Sequence, residues 1–80
     1  MRQGLLPVHA ERPALREELS TRETEVLQLI ADGLGNRQIA GVLYLSEDTV
    51  KTHVRRLMKK LGAPSRANAV ATGIRLRLIR

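Results

Sequence analysis

Apolar side chains recur along residues 19–80 with the spacing of three to four residues that is typical of amphipathic α-helices. The clearest example is SEDTVKTHVRRLMKKL, residues 46–61, whose apolar positions fall within about one third of a helical circumference. They are Val50, Val54, Leu57, Met58 and Leu61. This stripe predicts a helix with one face against a core. The opposite face is rich in Lys and Arg, which indicates a second role for the same helix.

Capping and turn residues place the first two helices. Ser20 and Glu23 have the spacing of a capping box, in which each side chain accepts a hydrogen bond from the other residue's backbone. They predict a first helix over residues 21–32, and Gly33 is suited to the left-handed conformation that ends it. A short second helix is predicted over residues 36–44.

Similar signals bound the third and fourth helices. Ser46 is a good N-cap for the third helix, which Gly62 ends, and Pro64 prevents its continuation. Ser65 is expected to cap a fourth helix that runs to about Ile79. The sequence therefore predicts an all-α fold of four helices, in which the second and third form a helix-turn-helix.

The first 18 residues differ from the rest of the chain. They contain Gly4, Pro7 and Pro13 and no sustained periodicity, apart from a short helical turn predicted over residues 14–18. We interpret residues 1–18 as a tail or interdomain linker and residues 19–80 as a single domain.

Composition narrows the classes of function. The chain of 80 residues has a net charge of +6 and a pI near 11.1, which favours an anionic partner, nucleic acid first. It has no cysteine, and His9 and His53 are too far apart for a convincing metal site, so we expect no metal or cofactor. No apolar run approaches the roughly 20 residues of a membrane span, which predicts a cytoplasmic protein without a membrane partner.

Catalysis is also not expected. No cluster of nucleophile, base and orienting group is visible, and there is no glycine-rich phosphate loop. Glu23 is interpreted as a cap that also pairs with Lys60, and His53 as a packing or backbone-bonding residue.

Motifs spread over all four predicted helices resemble one family. The stretch LSTRETEVLQLIADGLGNRQIAGVLYLSEDTVKTHVRRLMKKLGAPSRANAV resembles the C-terminal DNA-binding domain of LuxR-type regulators, the group of NarL, FixJ and GerE. The matching positions are Leu19, Arg22, Glu23, Glu25, Val26, Leu27, Gly33, Asn36, Ile39, Ala40, Leu43, Ser46, Thr49, Val50, Lys51, His53, Lys60, Leu61, Arg66 and Ala69. The sequence departs from the family at Gly35, usually Ser, at Gln38, usually acidic, and at Ala63, usually Val.

The resemblance implies which residues meet DNA. It places the third helix in the major groove, with Lys51, Thr52 and Arg55 as base contacts. A helical wheel independently puts Thr52 and Arg55 outward and Lys51 at the rim, and all three side chains can bond base edges. Residues at helix N-termini and flanking cations are expected to bind phosphates: Asn36, Arg37, Ser46, Thr49, Arg56, Lys59 and Arg66. A capping role is the alternative for Asn36 and Ser46, and pairing with Asp48 is the alternative for Arg56.

The fourth helix has two apolar faces. The apolar residues on one face predict a core stripe of Ala67, Val70, Ala71, Ile74 and Leu78. The smaller face is predicted to be a homodimer interface, in line with the role of this helix in the family: Ala69, Thr72, Gly73 and Leu76. An exposed apolar face on a monomer is the alternative.

These features favour one function and leave two alternatives. The first is sequence-specific binding of double-stranded DNA, as a bacterial transcription regulator or the C-terminal effector domain of a response regulator, with RNA polymerase as a further candidate partner. The second is promoter recognition within a sigma factor, whose region four has a similar helix-turn-helix. The third is a protein-interaction or membrane-surface module that uses the basic amphipathic helices.

Overall fold

A computed structural model describes residues 18–80, which form four α-helices and, within this range, no strand. The helices are α1 (Thr21–Ala31), α2 (Asn36–Leu43), α3 (Glu47–Leu61) and α4 (Arg66–Arg75). The predicted all-α fold is confirmed. The predicted tail or linker lies outside the described residues except for Glu18, as does most of the helical turn predicted within it.

The first helix begins at the predicted capping box. Ser20 Oγ accepts a hydrogen bond from the Glu23 N–H at 3.0 Å, and Glu23 Oε1 accepts one from the Ser20 N–H at 2.9 Å. These bonds satisfy backbone donors that the first helical turn leaves free.

The core forms where all four helices meet, with α3 against each of the other three. The apolar stripe predicted for α3 is confirmed, because Val50, Val54, Leu57 and Leu61 are buried and Met58 is half-buried against them. The other buried apolar side chains come from every remaining helix and from the C-terminal turn: Val26, Leu27, Ile30, Ile39, Ala40, Ala69 and Ile79.

Each helix ends with the same hydrogen-bond pattern. Within two residues of each helix end, one residue has a positive φ: Gly33 (96°), Tyr44 (58°), Gly62 (63°) and Arg77 (61°). The next N–H then bonds the carbonyl oxygen five residues back, as in a Schellman motif. The four bonds run from the N–H of one residue to the carbonyl oxygen of another, at 2.8–3.0 Å: Leu34 to Leu29, Leu45 to Ala40, Ala63 to Met58, and Leu78 to Gly73. All four donor residues pack against the core, so each helix end is also a hydrophobic anchor.

The fourth helix departs from the prediction in length and in orientation. It ends at Arg75, because Arg77 turns the chain back and brings Ile79 into the core. Its buried positions are Ala69 and Gly73, whereas Ile74 is 50% exposed. The predicted core stripe was therefore wrong for Ala67, Ala71 and Ile74, which are exposed. Its other two members, Val70 and Leu78, are half-buried and pack against the core.

Close packing of α4 against α1 explains this orientation. A Cβ added to Gly73 would lie 2.8 Å from Leu27 Cδ2 and 3.1 Å from Ile79 Cγ1, so any larger residue would force these side chains to shift. The small residues mark a helix contact within the monomer. Ala69 and Gly73 consequently cannot form a dimer interface, and Leu76 is half-buried against the core of its own chain. Thr72 is half-buried as well.

Candidate nucleic-acid interface

The outer face of α3 presents its basic side chains to solvent. Lys51, Arg55, Arg56 and Lys59 are all exposed, as the helical periodicity predicts. Thr52 lies among them but is half-buried, and its hydroxyl donates a hydrogen bond to the Asp48 carbonyl oxygen at 3.1 Å. Because the hydroxyl donates in this bond, its oxygen can still accept a hydrogen bond from an external donor.

A shallow groove of about 380 Å³ runs between α3 and the start of α2. Its lining combines two cations with an amide and two apolar side chains: Lys51, Arg55, Asn36, Val54 and Met58. The structure thus brings together three of the residues predicted from sequence to bind DNA. Val54 and Met58, which the apolar stripe of α3 predicts to face the core, also line this groove.

The N-terminus of α3 is capped by its own side chains. Ser46 Oγ accepts the Thr49 N–H at 3.1 Å and donates its proton to Thr49 Oγ1 at 2.9 Å. The predicted cap is confirmed, and both residues are exposed. Because Ser46 uses its proton inside the cap, the Thr49 hydroxyl is the freer donor of the two.

Glycine alters the start of α2. Gly35 is the N-cap but has no side-chain oxygen, so only one half of a capping box forms: Gln38 Oε1 accepts from the Gly35 N–H at 2.9 Å. Arg37 is exposed beside it. Within residues 18–80, the N–H groups of Asn36, Arg37 and Gln38 therefore have no side-chain acceptor, which suits an anion.

Two further predicted contacts, Asn36 and Arg66, bind each other. Arg66 Nη1 donates to Asn36 Oδ1 at 2.8 Å, and Arg66 Nη2 donates to the Leu34 carbonyl oxygen at 3.1 Å. Both side chains are half-buried. This contact joins residues far apart in sequence, and no local pattern in the chain indicates it.

An ion pair holds α3 against α1 behind the basic face. Lys60 Nζ lies 2.8 Å from Glu23 Oε1 and 3.2 Å from the Glu18 carbonyl oxygen, so the predicted Glu23–Lys60 pair is confirmed. Burial would raise the pKa of the Glu23 carboxyl, but hydrogen bonds from Lys60 and the Ser20 N–H outweigh it and lower the pKa below its ordinary value of 4.5.

His53 lies on the flank of α3 rather than on its outer face. It is half-buried, and its Nδ1 atom is buried without a hydrogen-bond partner among residues 18–80. The observed environment is one of packing. Of the two roles predicted for His53, packing or a bond to the backbone, this atom supports packing, because Nδ1 has no hydrogen-bond partner within the described part of the chain.

Some exposed apolar residues were not predicted from the sequence. Tyr44 is 93% exposed in the turn of the helix-turn-helix, and Val42 is 53% exposed on α2. On α4, Ala67, Ala71 and Ile74 are exposed at the spacing i, i+4, i+7, which makes one continuous helical face. All three residues belong to the stripe that the sequence predicts to face the core.

The family follows from comparison with known proteins. Residues 17–72 match the family GerE, described as bacterial regulatory proteins, luxR family. The chain therefore belongs to the LuxR family, and residues 18–80 contain its helix-turn-helix. This is a family of regulators rather than a class of enzymes, and it agrees with the resemblance seen in the sequence.

Relatives and a solved structure agree with this assignment. The chain is 51% identical over 67 residues to the transcriptional regulatory protein YxjL of Bacillus subtilis, covering 84% of this chain and 30% of that protein. It is 54% identical over 61 residues to the probable transcriptional regulatory protein NarL of Mycobacterium tuberculosis, covering 76% and 28%. The crystal structure of the response regulator ChrA from a heme-sensing two-component system matches with a TM-score of 0.77 and 47% identity, covering 80% and 32%. The chain thus spans less than one third of each of these proteins.

Within residues 18–80, none of the helices is long and apolar enough to cross a membrane.

Proposed function

We propose that this protein binds double-stranded DNA in a sequence-specific manner and regulates bacterial transcription. The observation that carries the proposal is the exposed pair Lys51 and Arg55, which lines the α3 groove beside Asn36 in a chain of the LuxR family. In this proposal α3 is the recognition helix and lies in the major groove. Three side chains read bases: Lys51, Thr52 and Arg55.

The exposed cations and hydroxyls around this face bind phosphates. Arg37 lies at the uncapped start of α2, Thr49 at the start of α3, and Arg56 and Lys59 along its outer face. Ser46 supports this set mainly as the cap of α3. Such contacts fix the register of the recognition helix on DNA without reading sequence.

A homodimer through α4 places two recognition helices on two half-sites. Its contact face is Ala67, Ala71 and Ile74, which replaces the face predicted from sequence. A symmetric contact between two copies of this face would cover an apolar stripe that the monomer leaves in water.

The biological setting is that of a response regulator. The named regulators among its relatives support residues 19–80 as the DNA-binding effector domain, with residues 1–18 as a tail or a linker to another domain. We place the protein in the cytoplasm, where its DNA target lies, and RNA polymerase is a proposed further partner. The proposal includes no enzymatic activity and no cofactor.

Selection of bound sequences from a random duplex pool tests the proposal. We expect a defined consensus, relaxed at particular base pairs by about 1–3 kcal/mol in Lys51→Ala and Arg55→Ala. Affinity for the selected site should fall steeply with salt, by a slope of about −0.9 in log K against log salt for each phosphate contact. No enriched sequence, or an unchanged consensus in both variants, would show that this face does not read DNA.

A further inference from the structure

Arg66 is fixed by two acceptors at the start of α2. Its guanidinium donates to Asn36 Oδ1 at 2.8 Å and to the Leu34 carbonyl oxygen at 3.1 Å. A planar guanidinium with two of its donors engaged on different residues has little freedom to rotate. Arg66 is also half-buried, unlike the exposed cations Arg37, Arg55 and Lys59. These contacts indicate that Arg66 holds the Asn36 side chain in place.

The residue that it supports faces the α3 groove. The two ends of an asparagine amide have nearly the same shape, but one end only accepts hydrogen bonds and the other only donates. Arginine has no acceptor, so the Asn36 oxygen must be the end that faces Arg66. The NH₂ end then points away from Arg66, and within residues 18–80 no protein acceptor binds it. Asn36 lines the groove together with Lys51 and Arg55.

We propose that Arg66 is a positioning residue of the DNA interface, which turns the Asn36 amide so that its NH₂ group donates to a DNA phosphate. Arg66 itself makes no contact with DNA, in contrast to the role predicted for it from sequence. The chemical reason is that phosphate oxygens only accept hydrogen bonds, so the opposite orientation of the amide would repel the backbone. The inference rests on the proposed function.

The first test is Arg66→Lys, which keeps the charge. A compact ammonium cannot span both acceptors as the guanidinium fork does. We expect the affinity for the selected duplex to fall about tenfold, as for loss of a hydrogen bond to a charged group, while the salt slope stays that of the wild type. A lysine that contacted phosphate directly would preserve affinity. Wild-type affinity in Arg66→Lys would therefore overturn the proposal.

A double-mutant cycle identifies the route of the effect. Asn36→Ala alone should lose about tenfold or more in affinity, and Arg66→Lys should cause no further loss in that background. Full additivity of the two losses would mean that Arg66 acts independently of Asn36, and the proposal would be wrong. Urea unfolding of each variant separates binding from stability, because a purely structural bond would lower stability and leave the affinity of the folded protein unchanged.

A second variant remains informative even if Arg66→Lys does not fold. Asn36→Asp keeps an oxygen for Arg66 but replaces the NH₂ donor with an acceptor. We expect it to fold at least as stably as the wild type and to lose binding. The matched control is Gln38→Glu, which adds the same charge at an exposed position in the same helical turn and should bind much better. Equal affinities of Asn36→Asp and Gln38→Glu would contradict the proposed donor role.

The recognition variants distinguish failure of this inference from failure of the proposed function. If Lys51→Ala relaxes the consensus but the Asn36 and Arg66 variants bind as the wild type does, only the positioning role fails. If the wild type selects no sequence, the proposed function fails, and the positioning role fails with it.

Discussion

At the scale of the residue, the absence of a Cβ atom at one glycine allows two helices to pack closely. Gly73 is buried where α4 meets α1, and a Cβ there would approach Leu27 Cδ2 to 2.8 Å. Gly41 on α2 is exposed, and a Cβ there meets nothing within 4 Å. The same residue type thus serves a packing need at one site and none at the other.

Two alanine substitutions should therefore change stability in opposite directions. Gly73→Ala should destabilise the domain by about 1–3 kcal/mol through overpacking. The higher helix propensity of alanine offsets part of this penalty. Gly41→Ala should stabilise it by about 0.5–1 kcal/mol, because alanine is the better helix former and has room. Urea unfolding measures both. If Gly73→Ala left stability unchanged and altered self-association, the result would support the dimer face predicted from the sequence instead.

The Glu23–Lys60 pair makes the folding stability of the domain depend on pH. Because the pKa of Glu23 is lowered in the folded protein, the folded state favours the carboxylate. Its stabilising contribution is complete above the ordinary pKa of 4.5 and is lost as the pH falls through the lower folded value. We expect Glu23→Gln to cost about 1–3 kcal/mol at pH 7, since Lys60 loses the negative charge of its partner, and to differ less from the wild type in acid.

Glu25→Gln is the matched control for this prediction. Glu25 also pairs with a cation, Arg22 at 3.1 Å, but the two side chains are 49% and 41% exposed. We expect a change of no more than about 0.5 kcal/mol. Unfolding curves recorded at several pH values measure both variants, and a Glu23→Gln penalty that stays constant into acid would refute the assigned linkage.

At the scale of the element, the four helix ends share one geometry but not one residue type. Gly33 and Gly62 adopt positive φ without strain, whereas Tyr44 and Arg77 are held there although the left-handed conformation costs such residues about 1–2 kcal/mol. The cost is offset by the leucines that follow, Leu45 and Leu78, which pack against the core.

Arg77→Gly should accordingly stabilise the domain by about 1 kcal/mol, because glycine adopts the left-handed conformation without a steric penalty. Arg75→Gly is the control: it removes the same charge from the last turn of α4, where φ is helical, and should destabilise by up to about 1 kcal/mol. Thermal unfolding should give shifts of opposite sign. Equal shifts in both variants would mean that the backbone at Arg77 is unstrained.

This distribution of turn residues explains which elements the sequence predicted. The first three helices were placed to within one or two residues because serine caps begin α1 and α3, and Gly33 and Gly62 follow α1 and α3. The end of α4 was missed because a left-handed arginine has no local signature. The predicted core face therefore included Ala67, Ala71 and Ile74, which are exposed. Ala69 and Gly73, which were predicted to lie outside the core, are buried.

In the candidate interface, features set by local sequence were predicted, and a contact between residues distant in sequence was not. Exposure of Lys51 and Arg55 follows from helical periodicity alone, so the sequence predicted it. The bond between Arg66 and Asn36 depends on how the start of α4 meets the start of α2, which only the packed structure defines. The sequence identified both residues but not the contact between them.

At the scale of the whole molecule, we propose two partner surfaces within residues 18–80. The basic face of α3 and the apolar face of α4 belong to different helices, so a change on α4 can alter assembly without touching the residues proposed to read DNA. A small domain of this kind can dimerise weakly in solution and still bind cooperatively, because DNA holds two copies about one helical turn apart.

Ile74→Glu tests the α4 dimer. Ile74 is 50% exposed, so the charge is tolerated in the monomer, but burial against a second copy would leave it desolvated and unpaired. We expect an unchanged circular-dichroism spectrum and a loss of cooperativity of about tenfold or more on a duplex with two half-sites. Val42→Glu is the control, since Val42 is apolar, 53% exposed and on α2. The measured quantity is the ratio of affinities for two-site and one-site duplexes, in which general repulsion between the added charge and DNA largely cancels. Full cooperativity in Ile74→Glu, or an equal loss in both variants, would exclude this face as the dimer contact.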